Sequence, residues 1–214
     1  MCSSSKKVFF ADLVFNVNEN VYEPAEDSFL FAENLKVSSG TRVVDLGTGC
    51  GILGILAAEK ASEVYAIDIN PWAVRCAREN ADMARSTEKM FFMQGDLLTP
   101  IKTGEEFDMI LFNAPYLPSD DTEGSLWLER AWAGGPSGRK TIDNFIHEAP
   151  NFLKPHGQIL LMQSSLSDIE ATAQKFQEAG LDTKIIASKQ LPFFETVTLV
   201  MARYGRKEKS SETV

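Results

Sequence analysis

Three aspartates stand at the ends of three successive apolar runs, and the first is followed by a glycine-rich turn. Residues 41–47 lead into Asp45-Leu46-Gly47-Thr48-Gly49-Cys50-Gly51, the run Glu63–Asp68 ends on Asp68, and Met90–Gln94 is followed by Gly95 and Asp96. Gly47, Gly49 and Gly51 permit a tight turn and close approach of the backbone to a ligand. Nicotinamide and flavin sites use similar turns, so the glycines alone decide little. The carboxylates decide more. Asp45, ahead of the first glycine, suits a cationic amino-acid ammonium, directly or through water, and repels a pyrophosphate. Asp68 is placed to accept hydrogen bonds from ribose hydroxyls. Asp96 is placed for an adenine amino group, with Leu97 beside it to pack on the base. Singly, each aspartate is more often a structural cap. Three at successive strand ends lie where open α/β sheets bind ligands. The ligand so described is S-adenosylmethionine.

The elements that must position these groups follow from periodicity. Strands are predicted at residues 41–47, Glu63–Asp68, Met90–Gln94, Phe107–Asn113, 158–163, 183–187 and 196–202. Helices are predicted at 51–60, 71–84, 140–153 and 168–179. Asn70 is a predicted N-cap with Pro71 at the first helical position, and Gly180 a predicted helix stop. Strand–helix alternation predicts a mostly parallel sheet with helices on both faces. The last two strands have no helix between them and read as an antiparallel pair. Residues 1–20 read as a polar, irregular N-terminal extension, 21–204 as one catalytic domain, and 205–214 as a charged tail expected to be disordered.

Asn113-Ala114-Pro115-Tyr116 ends the fourth strand. In isolation it is a strand-to-turn signal. After the aspartates and glycines, it resembles the (N/D)PPY motif of methyltransferases that act on planar nitrogens. Such a nitrogen shares its lone pair with a π-system and is a poor nucleophile until its NH₂ group is held. The resemblance implies that Asn113 Oδ1 and the carbonyl of residue 114 accept its two hydrogens, with Tyr116 packed on the flat target group. Ala114 departs from the usual proline. It keeps the required carbonyl, and Pro115 still restricts it to extended conformations.

Two further segments, Tyr22-Glu23-Pro24-Ala25-Glu26-Asp27-Ser28 and Ala131-Trp132-Ala133-Gly134-Gly135, narrow the resemblance. With the tetrapeptide they resemble the short HemK-type glutamine methyltransferases of the archaeal and eukaryotic branch, over residues 22–204. The resemblance implies a class I methyltransferase fold: a seven-stranded, mostly parallel sheet closed by a C-terminal antiparallel hairpin. It implies transfer of a methyl group from S-adenosylmethionine to the glutamine of the GGQ loop of a peptide-chain release factor. Ser28 would offer a hydroxyl to the cofactor or the active site, or simply cap the first helix with Glu26 and Asp27. Glu129, Arg130 and Trp132 would belong to a substrate-binding lid, or Trp132 would anchor a surface loop. The family's sheet order puts Met90–Gln94 at an edge. That strand lacks the charges and prolines that blunt edges, so it invites another chain. The implied partner is a small zinc-binding activator protein.

Composition trims the alternatives. A formal charge of −9 over 214 residues disfavours a nucleic-acid backbone and makes adenine-N6 methylation the weaker reading. Lysine methylation fits less well because an amine needs deprotonation rather than a held planar NH₂. A non-catalytic binding module is the remaining alternative. Three scattered cysteines (Cys2, Cys50, Cys76) give no disulfide framework and, with His147 and His156, no metal-ligand spacing, so no metal is expected. No apolar run is long enough for a membrane span and no leader is apparent, so a cytoplasmic place is expected.

Overall fold

The computed structural model describes residues 5–119 and 127–205. Its strands are β1 (Ser5–Phe10), β2 (Leu13–Asn18), β3 (Arg42–Leu46), β4 (Glu63–Asp68), β5 (Met90–Gln94), β6 (Phe107–Asn113), β7 (Leu153–Ser164), β8 (Leu181–Gln190) and β9 (Thr196–Tyr204). The helices are α1 (Glu26–Asn34), α2 (Ile52–Ala58), α3 (Pro71–Met83), α4 (Trp127–Arg130), α5 (Lys140–Glu148) and α6 (Ile169–Glu178). Seven strands form one sheet in the order β5-β4-β3-β6-β7-β9-β8. Strands β3 to β7 pair in parallel, and β9 lies antiparallel to both its neighbours. This is the fold class expected from the alternation of elements.

The central strands are largely apolar because both faces are covered. Val43, Val64, Met109, Leu111 and Leu160 point into one core, shared with α1, α2, α3 and the β1–β2 hairpin. Val44, Leu46, Ile110, Phe112 and Leu161 point into the other, where α5 supplies Ile142 and Phe145 and α6 supplies Phe176. Asn70 caps α3, its side chain accepting from the Trp72 amide at 2.9 Å, and Gly180 ends α6 at φ +81°, both as the sequence predicts.

Residues 5–18 correct the expectation of an irregular N-terminal segment. They pair as an antiparallel hairpin whose inner residues Val8, Phe15 and Val17 are buried. Asn80 of α3 fastens it, its carboxamide accepting from the Asn16 amide and donating to the Asn16 carbonyl, both at 2.9 Å. The helix expected at 140–153 ends at Glu148; a 3-10 turn containing Pro150 follows, and β7 begins at Leu153. Proline lacks the N–H that would continue the ladder. The tail expected to be disordered lies, from residue 206, outside the described residues. Among the described residues, no helix is long and apolar enough to cross a membrane.

Candidate active site

The C-terminal ends of β3, β4, β5 and β6 open onto one cleft of about 260 Å³. Ser28, Asp45, Gly47, Gly49, Asp68, Asp96, Leu97, Trp132 and the whole tetrapeptide Asn113 to Tyr116 line it. Glu129, singled out in the sequence, is not among the lining residues, and neither is Gly51. Gly51 is the N-cap of α2 at φ +90°, and a Cβ there would lie 3.1 Å from Ala77 of α3. Gly51 therefore lets two helices approach and is not a lining residue.

The glycine turn is held by the aspartates themselves. Asp45 is buried, and its Oδ2 accepts from Thr48 Oγ1 at 2.7 Å and from the Gly54 amide at 2.9 Å. Asp68 Oδ2 accepts from the Gly49 amide at 3.0 Å, and its Oδ1 from the Asn70 amide at 2.9 Å. Burial pushes the Asp45 carboxyl up to about 7 and the Asp68 carboxyl up to about 6, against these hydrogen bonds. Asp68 adds its negative charge to the effect on Asp45. Asp96 is exposed at the mouth, and Leu97 beside it is half-buried in the left-handed region at φ +45°. Cys50 is buried, and burial raises its thiol, which removes it as a nucleophile.

The centre of the cleft is organised by Asp27, a residue that the sequence reading left as a helix cap. The N-cap of α1 is Ala25, which makes no side-chain cap bond. Asp27 instead turns inward and is buried. Its Oδ2 accepts from Asn113 Nδ2 at 3.0 Å and from the Tyr116 hydroxyl at 3.1 Å. Its Oδ1 accepts from the Ser28 amide at 2.6 Å and from the Tyr22 and Ser28 hydroxyls, each at 3.2 Å. Asn113 Nδ2 also donates to Ser28 Oγ at 3.2 Å. Burial, followed by the charge of Asp27, pushes the phenols of both Tyr22 and Tyr116 up, so both stay protonated donors.

This network decides which way the Asn113 carboxamide faces. A carboxylate only accepts, so the NH₂ end must point at Asp27. The oxygen end, Oδ1, is then buried in the site without a hydrogen-bond partner among the described residues. A buried unpaired acceptor costs about 1–3 kcal/mol and marks a place where a donor belongs. The adjoining Ala114 is buried, with its amide donating to the Met162 carbonyl at 3.4 Å.

The second glycine-rich segment braces this turn. Leu117 pairs with Ala133 in a parallel bridge. The Leu117 amide donates to the Trp132 carbonyl at 3.0 Å, and the Gly134 amide to the Leu117 carbonyl at 2.8 Å. A Cβ on Gly138, at φ +70°, would lie 2.3 Å from the Tyr116 carbonyl oxygen. Trp132, 36% exposed, and Trp127 both face the cleft, so Trp132 is not a buried anchor. The Arg130 guanidinium lies 5.0 Å from the centre of the Trp127 ring.

The model of the methyltransferase small domain matches residues 22–130. A Methanocaldococcus jannaschii relative, named as a protein N5-glutamine methyltransferase, is 40% identical over 86% of this chain and 92% of its own. Human methyltransferase HEMK2 is 30% identical over 80% of this chain and 84% of its own. The E. cuniculi Mtq2 chain, solved in complex with Trm112 and described as responsible for methylation of the termination factor eRF1, shares the fold. Its TM-score is 0.68 at 23% identity, over 87% of this chain and 99% of that one. The cleft, its asparagine turn and these relatives agree: the chain belongs to the methyltransferase small-domain family, among the HEMK2-type protein N5-glutamine methyltransferases.

Proposed function

We propose that the chain methylates the side-chain amide of a glutamine, that of the GGQ loop of a peptide-chain release factor, using S-adenosylmethionine. The observation that carries this is the buried, unpartnered Oδ1 of Asn113, oriented by Asp27 and Ser28. An amide NH₂ supplies the missing donor.

The cleft fits the cofactor. Asp45 is buried and Asp68 half-buried, neither forms an ion pair among the described residues, and desolvation raises both. A cationic ligand relieves that cost, whereas a pyrophosphate adds to it. Asp68 stands where ribose hydroxyls donate, and Asp96 with Leu97 where an adenine sits. S-adenosylmethionine supplies, when bound, an electrophilic sulfonium methyl group.

The chain's own residues hold the nucleophile. Asn113 Oδ1 accepts one hydrogen of the amide and the Ala114 carbonyl the other, which fixes the NH₂ plane and favours positive charge developing on nitrogen. Tyr116, tied to Asp27, packs on the flat amide. Replacement of proline by Ala114 leaves the carbonyl in place. Trp132 and Trp127 line the same cleft as apolar walls beside the target. No strong base is required, which suits an amide better than a lysine amine.

The partner reading rests on β5. It is an edge strand of the sheet. Phe91 is 45% exposed on it, while Phe92 is covered by Arg78 of α3, 5.3 Å from the ring centre. This edge suits a small zinc-binding activator protein that adds a strand. The cytoplasm, where release factors work, is the place for this reaction. To test the proposal, the protein, with its activator, is incubated with methyl-labelled cofactor and a release factor. Label is expected on the GGQ form and absent from a GGA form; equal labelling of both overturns the assignment.

A further inference from the structure

The turn between β8 and β9 displays two phenyl rings to water. Phe193 is 97% exposed and Phe194 92%. Both residues adopt the left-handed backbone, at φ +61° and +65°, which costs roughly 1–2 kcal/mol per non-glycine residue. The Leu191 amide donates to the Glu195 carbonyl at 2.8 Å and closes the turn. Neither ring contributes to the core, so folding does not account for them.

Topology places this turn beside the active site. Asn113 of β6 pairs with Met162, Ser164 at the same end of β7 pairs with Val197, and Gln190 pairs with Thr196. The turn therefore lies at the sheet end where Asn113 stands. The charge of Glu195 reaches Tyr22 and Tyr116. A neighbouring turn adds Leu166, 53% exposed, and is tied in by the Thr196 amide donating to Ser165 Oγ at 3.0 Å. The glycine turn, Asp68 and Asp96 occupy the β3-β4-β5 half of that end. Asn113, at the end of β6, stands on the other half of that end, beside β7, β9 and β8.

We propose that Phe193, Phe194 and Leu166 form a docking rim for the polypeptide that flanks the target amide in a protein substrate. This rests on the reading of the chain as a protein glutamine methyltransferase. A protein that presents its glutamine on a loop brings flanking polypeptide to the rim, which a free amide lacks. Exposed aromatic residues of this kind dominate interface energetics. Glu195 and the overall charge of −9 favour a basic residue beside the target.

The test uses the enzyme with its activator, a release factor, and the double variant Phe193→Asn with Phe194→Asn. Asparagine tolerates the left-handed backbone, so the turn keeps its shape and loses only its rings. The expected result is a KM for the release factor raised about tenfold or more, with unchanged kcat at saturation, cofactor affinity and melting temperature. Leu166→Ser, on a separate turn, is expected to raise KM in the same direction. An unchanged KM in both variants, with an active parent, overturns the rim and leaves the glutamine reading standing. A parent dimer that the double variant dissolves, at unchanged KM, assigns the rings to self-association and also overturns it. A parent that methylates no GGQ-bearing protein overturns the reading on which the rim rests, and the rim with it.

Discussion

Asp27→Asn removes one charge and no volume, yet it breaks the logic of the site. The carboxylate accepts from five donors: Tyr22, the amide and hydroxyl of Ser28, Asn113 and Tyr116. A carboxamide has one acceptor oxygen. If its NH₂ takes the place of Oδ1, it meets the Ser28 amide, a donor held at 2.6 Å. If its NH₂ takes the place of Oδ2, it meets the NH₂ of Asn113, which must turn over. Asn113 then presents a donor to the substrate NH₂ and repels it. Losing one charge-assisted hydrogen bond in a buried site is worth about 1.5–3 kcal/mol, or roughly 10- to 150-fold in rate. We expect kcat to fall within that range, with cofactor affinity within about threefold of the parent, because Asp27 belongs to the target side of the cleft. Single-turnover methylation and calorimetry separate the two, and circular dichroism checks the fold. Turnover within twofold of the parent would refute the orienting role of Asp27, as would a loss confined to cofactor binding.

Gly138→Ala puts a methyl group 2.3 Å from the Tyr116 carbonyl oxygen at a positive φ; a destabilisation of about 1–3 kcal/mol and a drop in methylation are expected in thermal melts and turnover assays. Asp45 and Asp68, raised to about 7 and about 6, bind protons more tightly folded than unfolded. The ligand-free chain should therefore gain stability from them as pH falls from about 7 towards 4, and lose it as pH rises again. Because S-adenosylmethionine is cationic it favours the ionised carboxylates, so its affinity should weaken as pH falls through the same upper range; calorimetry on Asp45→Asn should show a flatter dependence. Phe91→Lys on the exposed face of β5 should abolish co-purification of the activator while leaving the melting temperature of the isolated chain within a few degrees.

Much of the sheet is legible in the sequence because it is buried on two faces. Glu63–Asp68, Met90–Gln94 and Phe107–Asn113 are mostly apolar runs with strand-like bounds, and all three form as read. The β1–β2 hairpin is harder to see. Its fully buried inner residues are Val8, Phe15 and Val17, spaced among Lys6, Lys7, Asn16 and Asn18, and α3, which fastens it, lies 64 residues away at Asn80. Pro155 and Gly157 hide the start of β7, where the register with β6 shifts between Phe107 and Met109. The proposed cofactor side of the cleft is local: Asp45, Asp68 and Asp96 each stand at the C-terminal end of their own strand, so spacing suffices. The target side is not. Asp27 reads as one more acidic residue in a first helical turn, and its bond to Asn113 spans 86 positions. Its only sequence signal is its place in the Tyr22 to Ser28 segment.

The claim at the centre of this account is that Asn113 Oδ1 receives the target amide, and Asn113→Ala tests it most directly. The measurement is the single-turnover rate of methylation of a GGQ-bearing release factor at saturating cofactor, alongside cofactor affinity by calorimetry. The account predicts a rate lower by on the order of 10²-fold or more, as for removal of one preorganised hydrogen-bonding group, with cofactor affinity within about twofold of the parent. A variant that turns over near the parental rate, or loses cofactor affinity in proportion to rate, would contradict it.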